Sequence, residues 1–310
     1  MRRYRVRHTT RYEYEAPVLH ATHALHLEPR GLAHQRVLES RITISPEQAE
    51  LQSGRDYFGN VTHFVEVLAP HEVLEVTSES RVEVAPPQLE LTPATRLSWE
   101  KVREQLELDR SFVSAREFCF DSPLVRSHHM LAEYAASTFS PGRPFVDAVG
   151  ELSERIFREF KYEPLATDVS TPLAQVLRER RGVCQDFAQL AVGCLRSLGL
   201  AARYVSGYLE TEAPSGRPKL IGADASHAWA SAFLPALGWI DFDPTNAVFP
   251  GERHVTVAWG RDFSDVSPLR GIVLGGGQHT LAVAVDVTPE DVVAPGAGAA
   301  NTQSQSQKLS

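Results

Sequence analysis

Across roughly the first ninety residues, apolar and polar side chains alternate in one short run after another, and a period of two commits the start of the chain to β-sheet. Arg2–Tyr14, His20–Pro29, Val37–Ser45, Asn60–Leu68 and Glu72–Val84 carry the pattern with β-branched and aromatic residues. Glu15-Ala16-Pro17, Pro29-Arg30-Gly31, Pro46-Glu47 and Pro70-His71 punctuate them as turns. Strands of this length and spacing predict a sandwich-like unit or small barrel. Pro86-Pro87 closes it. Arg2, Arg3, Arg5 and Arg7 interleave with Tyr4 and Val6, so they read as the wet face of the first strand.

The period then changes. From about Ser98 to Phe160, Met130, Leu131 and Tyr134 in one run, and Val149, Leu152, Ile156 and Phe160 in another, recur at helical spacing, with Pro141-Gly142 between the runs. Thr171–Pro244 mixes both periods: an apolar helix ending at Leu198 before Gly199, a strand over Ala201–Leu209, a polar turn over Glu212–Arg217, and a hairpin from Ser226–Leu234 and Trp239–Phe242. Further strands follow Pro250, the clearest at Thr280–Val287. The expected class is α+β, with a β-rich domain at 1–90, a helical connection at 91–160, a catalytic core with C-terminal strands at 161–288 and a disordered tail at 289–310.

At 310 residues, two domains are the natural expectation. A formal charge of −8 gives no reason to expect nucleic acid. No apolar run approaches the ~20 residues that cross a bilayer, and no apolar segment follows the first arginines as a secretory signal requires. Cys119, Cys184 and Cys194 fit neither a disulfide framework nor a zinc spacing. The expectation is a cytoplasmic protein without metal or cofactor.

One of those cysteines is special by position. Cys184 follows Gly182-Val183 where a helix begins, because Phe187, Leu190, Ala191, Cys194, Leu195 and Leu198 share one helical stripe. Cys194 on that stripe is a core thiol. Cys184 sits in the first turn, where free backbone N–H groups and the helix dipole favour an anion, hence a thiolate.

A thiol nucleophile needs a base and something to orient it. His227 lies in Ser226-His-Ala-Trp, and Asp243 in Trp239-Ile-Asp-Phe-Asp-Pro-Thr. A five-residue loop over Leu234–Gly238 would set Asp243 opposite Trp229 and on the same face as His227, one diagonal step away. A four-residue loop would separate them. Asp241, on the same face as Asp243, and Asp224 compete for the orienting role.

These blocks, Gly182-Val-Cys-Gln-Asp-Phe-Ala, Ser226-His-Ala-Trp and Trp239-Ile-Asp-Phe-Asp-Pro-Thr, resemble those of the transglutaminase-like superfamily in order and spacing. His8-Thr-Thr-Arg-Tyr-Glu-Tyr, Asp56-Tyr-Phe-Gly-Asn-Val and Gly260-Arg-Asp-Phe-Ser-Asp-Val-Ser-Pro-Leu-Arg-Gly resemble the flanking regions of its bacterial members, so the likeness spans nearly the whole chain except the tail. The resemblance implies a papain-related core in which a helix bearing the cysteine packs on an antiparallel sheet bearing the histidine and aspartate. It implies Cys184 as nucleophile, His227 as base and Asp243, the aspartate before Pro-Thr, as orienter. It implies thiol acyl chemistry on a peptide, protein or small amide substrate: hydrolysis first, transfer of a glutamine acyl group to an amine second. A non-catalytic peptide-binding scaffold is the reading from a different class. A second oxyanion donor is sought at Tyr162 or among Thr167–Thr171.

Other features read as structural. His20, His23 and His26 recur every three residues, but on a strand His23 faces away from the other two. His128-His129 lacks a partner pattern, and Gly275-Gly-Gly lacks the Lys-Ser/Thr of a phosphate loop. Arg261, Asp262, Asp265 and Arg270 read as a salt-bridged loop, with a place on the substrate cleft as the sharper alternative. Trp229 reads as a lid over the histidine.

Overall fold

A computed structural model describes residues 1–88, 90, 92, 95–211 and 226–290. The first strand, β1 (Arg2–Leu25), is a single ribbon of 24 residues where the sequence predicted two strands and a turn. The reason lies at Glu15–Pro17. The register against its neighbour shifts between Glu13 and Val18, so the extra residues form a bulge. Glu15 and Ala16 stay paired through backbone bonds to Gln278 and Gly276, which lets a proline sit inside a strand.

Strands β2 (Gln35–Ser45), β3 (Glu50–Arg55), β4 (Val61–Val67) and β5 (His71–Val84) complete the N-terminal ladder in the order β2-β5-β1-β4-β3. This antiparallel sheet curls over Val18, Ala21, Leu25, Val65, Leu74 and Val76. β3 is exposed throughout, so no alternation marked it in advance.

The helical connection holds α1 (Trp99–Leu108), α2 (Val113–Arg116), α3 (His129–Ala136) and α4 (Phe145–Glu159). A two-residue strand, β6 (Lys161–Tyr162), then α5 (Leu173–Glu179) and a second short strand, β7 (Arg181–Gly182), lead into α6 (Cys184–Ser197). Gly199 ends α6 with φ +76°, the left-handed conformation that glycine adopts without penalty. The second sheet runs β10-β9-β8-β11, built from β8 (Ala202–Leu209), β9 (Ser226–Leu234), β10 (Gly238–Phe242) and β11 (His254–Gly260). α6 packs on β9 and β8, and its residues 186–196 are all buried, so the predicted single stripe is one side of a helix enclosed all round. Leu131, Leu152, Leu190, Leu195, Ala230 and Phe242 centre the core around it.

After α7 (Phe263–Val266), the chain returns to the N-terminal sheet. β12 (Leu269–Gly275) and β13 (His279–Glu290) both pair with β1, not with the second sheet, to whose domain the sequence pattern attached them. Alternation announces a strand but not its partner. Pro289 and Glu290, expected in the tail, close β13, and the predicted turn at Glu212–Arg217 lies outside the described residues. The two sheets share one apolar cluster: Tyr4, Val82 and Val287 from the first meet Tyr204, Tyr208 and Val255 from the second.

Candidate active site

Cys184 is the first residue of α6, and its surroundings explain the block that contains it. Val183 precedes the helix in extended conformation and has no side-chain acceptor for the free N–H groups. Asp186, buried in the first turn, reaches back to accept the Val183 N–H at 2.8 Å and the Thr167 hydroxyl at 2.6 Å. A Cβ on residue 182 would lie 2.7 Å from that carboxylate, so glycine is required there by space. The β6–β7 ladder and the bond from Glu163 N–H to the Gly182 carbonyl (2.9 Å) hold the approach to the helix. The thiol is thus held at the helix N-terminus, partly buried beside Tyr204.

The hairpin adopts the register that brings the other two residues together: Gly238 pairs with Leu234, Asp241 with Ser231 and Phe242 with Ala230. Just past the ladder, Asp243 bridges to Val248. Its Oδ2 accepts from His227 Nε2 at 2.7 Å. That leaves Nδ1 of the ring for Cys184, which lies near enough to raise the pKa of the imidazole. Asp241 instead accepts the Trp229 indole N–H at 3.0 Å, and Asp224 lies outside the described residues.

Asp243 is fully buried and heavily solvated by protein. Besides His227 it accepts from His254 Nε2 (3.1 Å), Asn246 Nδ2 (2.7 Å) and the Thr245 backbone N–H (2.9 Å). Burial alone would raise its pKa, but the donors, led by His227, hold it well below the usual carboxylate range. For His227, burial pulls the pKa down. The hydrogen bond to Asp243 and then the influence of Cys184 outweigh it, and the imidazole is held above its ordinary value. The other thiols differ: burial pushes Cys119 up to about 11 and Cys194 up to about 12. Chemically, this is an imidazole locked between a carboxylate and a sulfur, able to hold the sulfur's proton.

His254 and Asn246 were not read from the sequence. A histidine at the start of an alternating strand carries no distinguishing pattern, and Asn246 is visible only once Asp243 is known to start a turn. His227, Asp243 and His254 place ligand atoms within 4.8 Å of one another, but their mutual hydrogen bonds already occupy those atoms. Trp229 is fully buried, its ring 6.1 Å from that of His227 and 5.3 Å from that of His254, so it walls the imidazoles from water.

The remaining sequence candidates disperse. His20 pairs with Glu66, and His26 bonds Thr62 and Ser267 O. Arg261 grips Asp265 with two bonds of 2.9 Å, while Asp262 caps α7 and accepts from Leu124 N–H, which makes a braced loop. Of the oxyanion candidates, Thr167 is committed to Asp186 and Thr171 to Asp168. Tyr162 is half exposed, and burial followed by the nearby Cys184 raises its pKa, so its hydroxyl stays protonated.

Residues 4–83 match the bacterial transglutaminase-like N-terminal region, and residues 132–244 match the transglutaminase-like superfamily core. An uncharacterized protein of Mycobacterium tuberculosis is 42% identical over 294 residues, 93% of each chain. The chain belongs to the transglutaminase-like superfamily. A second relative of this transglutaminase-like protein, uncharacterized and from Mycobacterium leprae, is 34% identical over 93% of this chain and 99% of its own. A protein-glutamine gamma-glutamyltransferase of Pseudomonas aeruginosa is 31% identical over 107 residues, 32% of this chain and 16% of that one. Among solved structures, a protein from Cytophaga hutchinsonii, provisionally named a cysteine protease, superposes with a TM-score of 0.71 at 20% identity, covering 94% of this chain and 91% of that one. The likeness is one of fold.

Proposed function

We propose that this protein is a thiol hydrolase of peptide or carboxamide bonds, with Cys184 as nucleophile, His227 as acid and base, and Asp243 as the orienting carboxylate. The hydrogen bond of His227 to Asp243, with Cys184 at a helix start near enough to act on the same imidazole, carries the reading. The sulfur, as thiolate, adds to the substrate carbonyl. The oxyanion is met by the Cys184 backbone N–H at the helix start and by the Tyr162 hydroxyl. The imidazolium gives its proton to the departing amine, leaving a thioester. Neutral His227 then takes a proton from water as it attacks, the acid is released, and the thiol is restored.

Transfer of the acyl group to an amine is the second reading, favoured by the partial likeness to the Pseudomonas glutamyltransferase. The two separate on incubation with casein and a fluorescent amine. Hydrolysis predicts shortened or deamidated chains without label, transfer predicts labelled chains, and neither product above a Cys184→Ala control would favour a binding scaffold. A peptide-library digest read by mass spectrometry then defines the bond cleaved. No helix among the described residues is long and apolar enough to cross a membrane, and a cytoplasmic site of action is part of this proposal.

A further inference from the structure

The fold buries two arginines in the catalytic half of the molecule and treats them in opposite ways. Arg196 is 2% exposed and donates to the carbonyls of Phe118, Ala202 and Arg261 and to the Ser122 hydroxyl. Arg203, on β8, is 7% exposed and donates to nothing among the described residues. Its Nε is buried without a partner. Its guanidinium is stacked between Trp239, with the ring centroid 4.3 Å from the guanidinium carbon, and Trp259, at 3.8 Å. Trp259 also meets Arg30 at 3.5 Å. Indoles on its faces satisfy a guanidinium's charge in part but accept none of its N–H groups, which point outward in its plane. Asp241 is close enough to act on Arg203 electrostatically but forms no ion pair with it, and its Oδ2 is taken by Trp229.

Arg203 lines a cavity of about 590 Å³ between the second sheet and two loops of the N-terminal unit, at Leu32–His34 and Ala85–Gln88. Leu237, Ile240 and Pro86 give it apolar walls. A planar cation with free N–H groups on the wall of a cavity that is apolar on its other side, with His34, Gln88 and Asp241 also lining it, matches a planar anion that can accept two parallel bonds. Asp241 on the same wall would repel a phosphate dianion more than a singly charged carboxylate.

We propose that this cavity binds a carboxylate carried on an apolar body, anchored by Arg203. The site is independent of the thiol chemistry proposed above. Its ligand is a small organic acid or the C-terminal carboxylate of a peptide. The test uses the full chain with Cys184→Ala, so that no acyl-enzyme forms, titrated by calorimetry with N-acetyl-L-leucine, N-acetyl-L-leucinamide, the tetrapeptide Gly-Gly-Ala-Leu and its amide, and inorganic phosphate. At least one free acid is expected to bind, and its amide and the Arg203→Met variant are each expected to weaken binding by about tenfold or more. Preference for the tetrapeptide over acetyl-leucine identifies a peptide terminus; the reverse identifies a small acid. No binding of either acid at millimolar concentration overturns the proposal. So do equal binding of acid and amide, tighter binding of phosphate, or undiminished binding by Arg203→Met. Should that variant fail to fold, Ala33→Trp, which fills the cavity from an exposed position on its rim, must give the same loss; undiminished binding there also overturns the proposal.

Discussion

Asp243 receives donors from three side chains and the backbone, and that saturation is what keeps His227 in place. Converting it to Asn removes the charge that holds the imidazole above its ordinary value. The Asp243→Asn variant should therefore show iodoacetamide alkylation of Cys184 slowed by about tenfold or more at neutral pH, since each pKa unit is a factor of ten. His254 acts on the same carboxylate from the far side. His254→Phe leaves a buried charge short of one donor, a loss of about 1–3 kcal/mol, whereas His254→Gln can restore an N–H near the Nε2 position. Alkylation rates across pH should fall for Phe and recover for Gln; equal falls would make His254 a packing residue. Tyr162→Phe should lower kcat by roughly 100-fold with little change in KM if the hydroxyl meets the oxyanion. The pair also shapes stability. The Asp243 contribution is present above the ordinary carboxylate range and fades as pH falls through its lowered value. The His227 contribution is complete below the ordinary imidazole value of about 6.5 and fades as pH rises through its raised one. Melting temperature against pH should be flatter at both ends in the His227→Ala, Asp243→Ala double variant.

At the level of elements, the sequence was informative where periodicity and blocks coincide. The helix start at Cys184 is written in it, whereas the hairpin register was left open between two loop lengths, of which the structure adopts the one that places Asp243 and His227 on one face. Partner choice was not legible. β13 alternates like any strand, and nothing in Thr280–Val287 says that β1 awaits it. β3 was invisible because all of its residues are exposed, and the bulge in β1 mimics a turn. The role of Asp186 emerged only when its carboxylate was found where a side chain at residue 182 would be. Gly182→Ala should push Asp186 from the Val183 N–H and lower both stability, by about 1–3 kcal/mol and seen as a lower melting temperature, and the rate of Cys184 alkylation. A normal rate with a normal melt would mean that the helix start tolerates the added methyl.

For the whole molecule, the apolar cluster joining Tyr4, Val82 and Val287 to Tyr204, Tyr208 and Val255 makes the two sheets one cooperative unit. Calorimetry should record a single transition whose van't Hoff and calorimetric enthalpies agree; two separated transitions would divide the molecule. That shared core also ties the β-rich unit to the second sheet, with Cys184 packed against it. The most direct test of the account is competitive alkylation. With substoichiometric iodoacetamide at pH 7, peptide mass spectrometry should find label on Cys184 well before Cys119 or Cys194, whose burial pushes their thiols to about 11 and about 12, and the preference should shrink in His227→Ala. Equal labelling of the three cysteines in the unaltered protein, or an unchanged preference without His227, would contradict it.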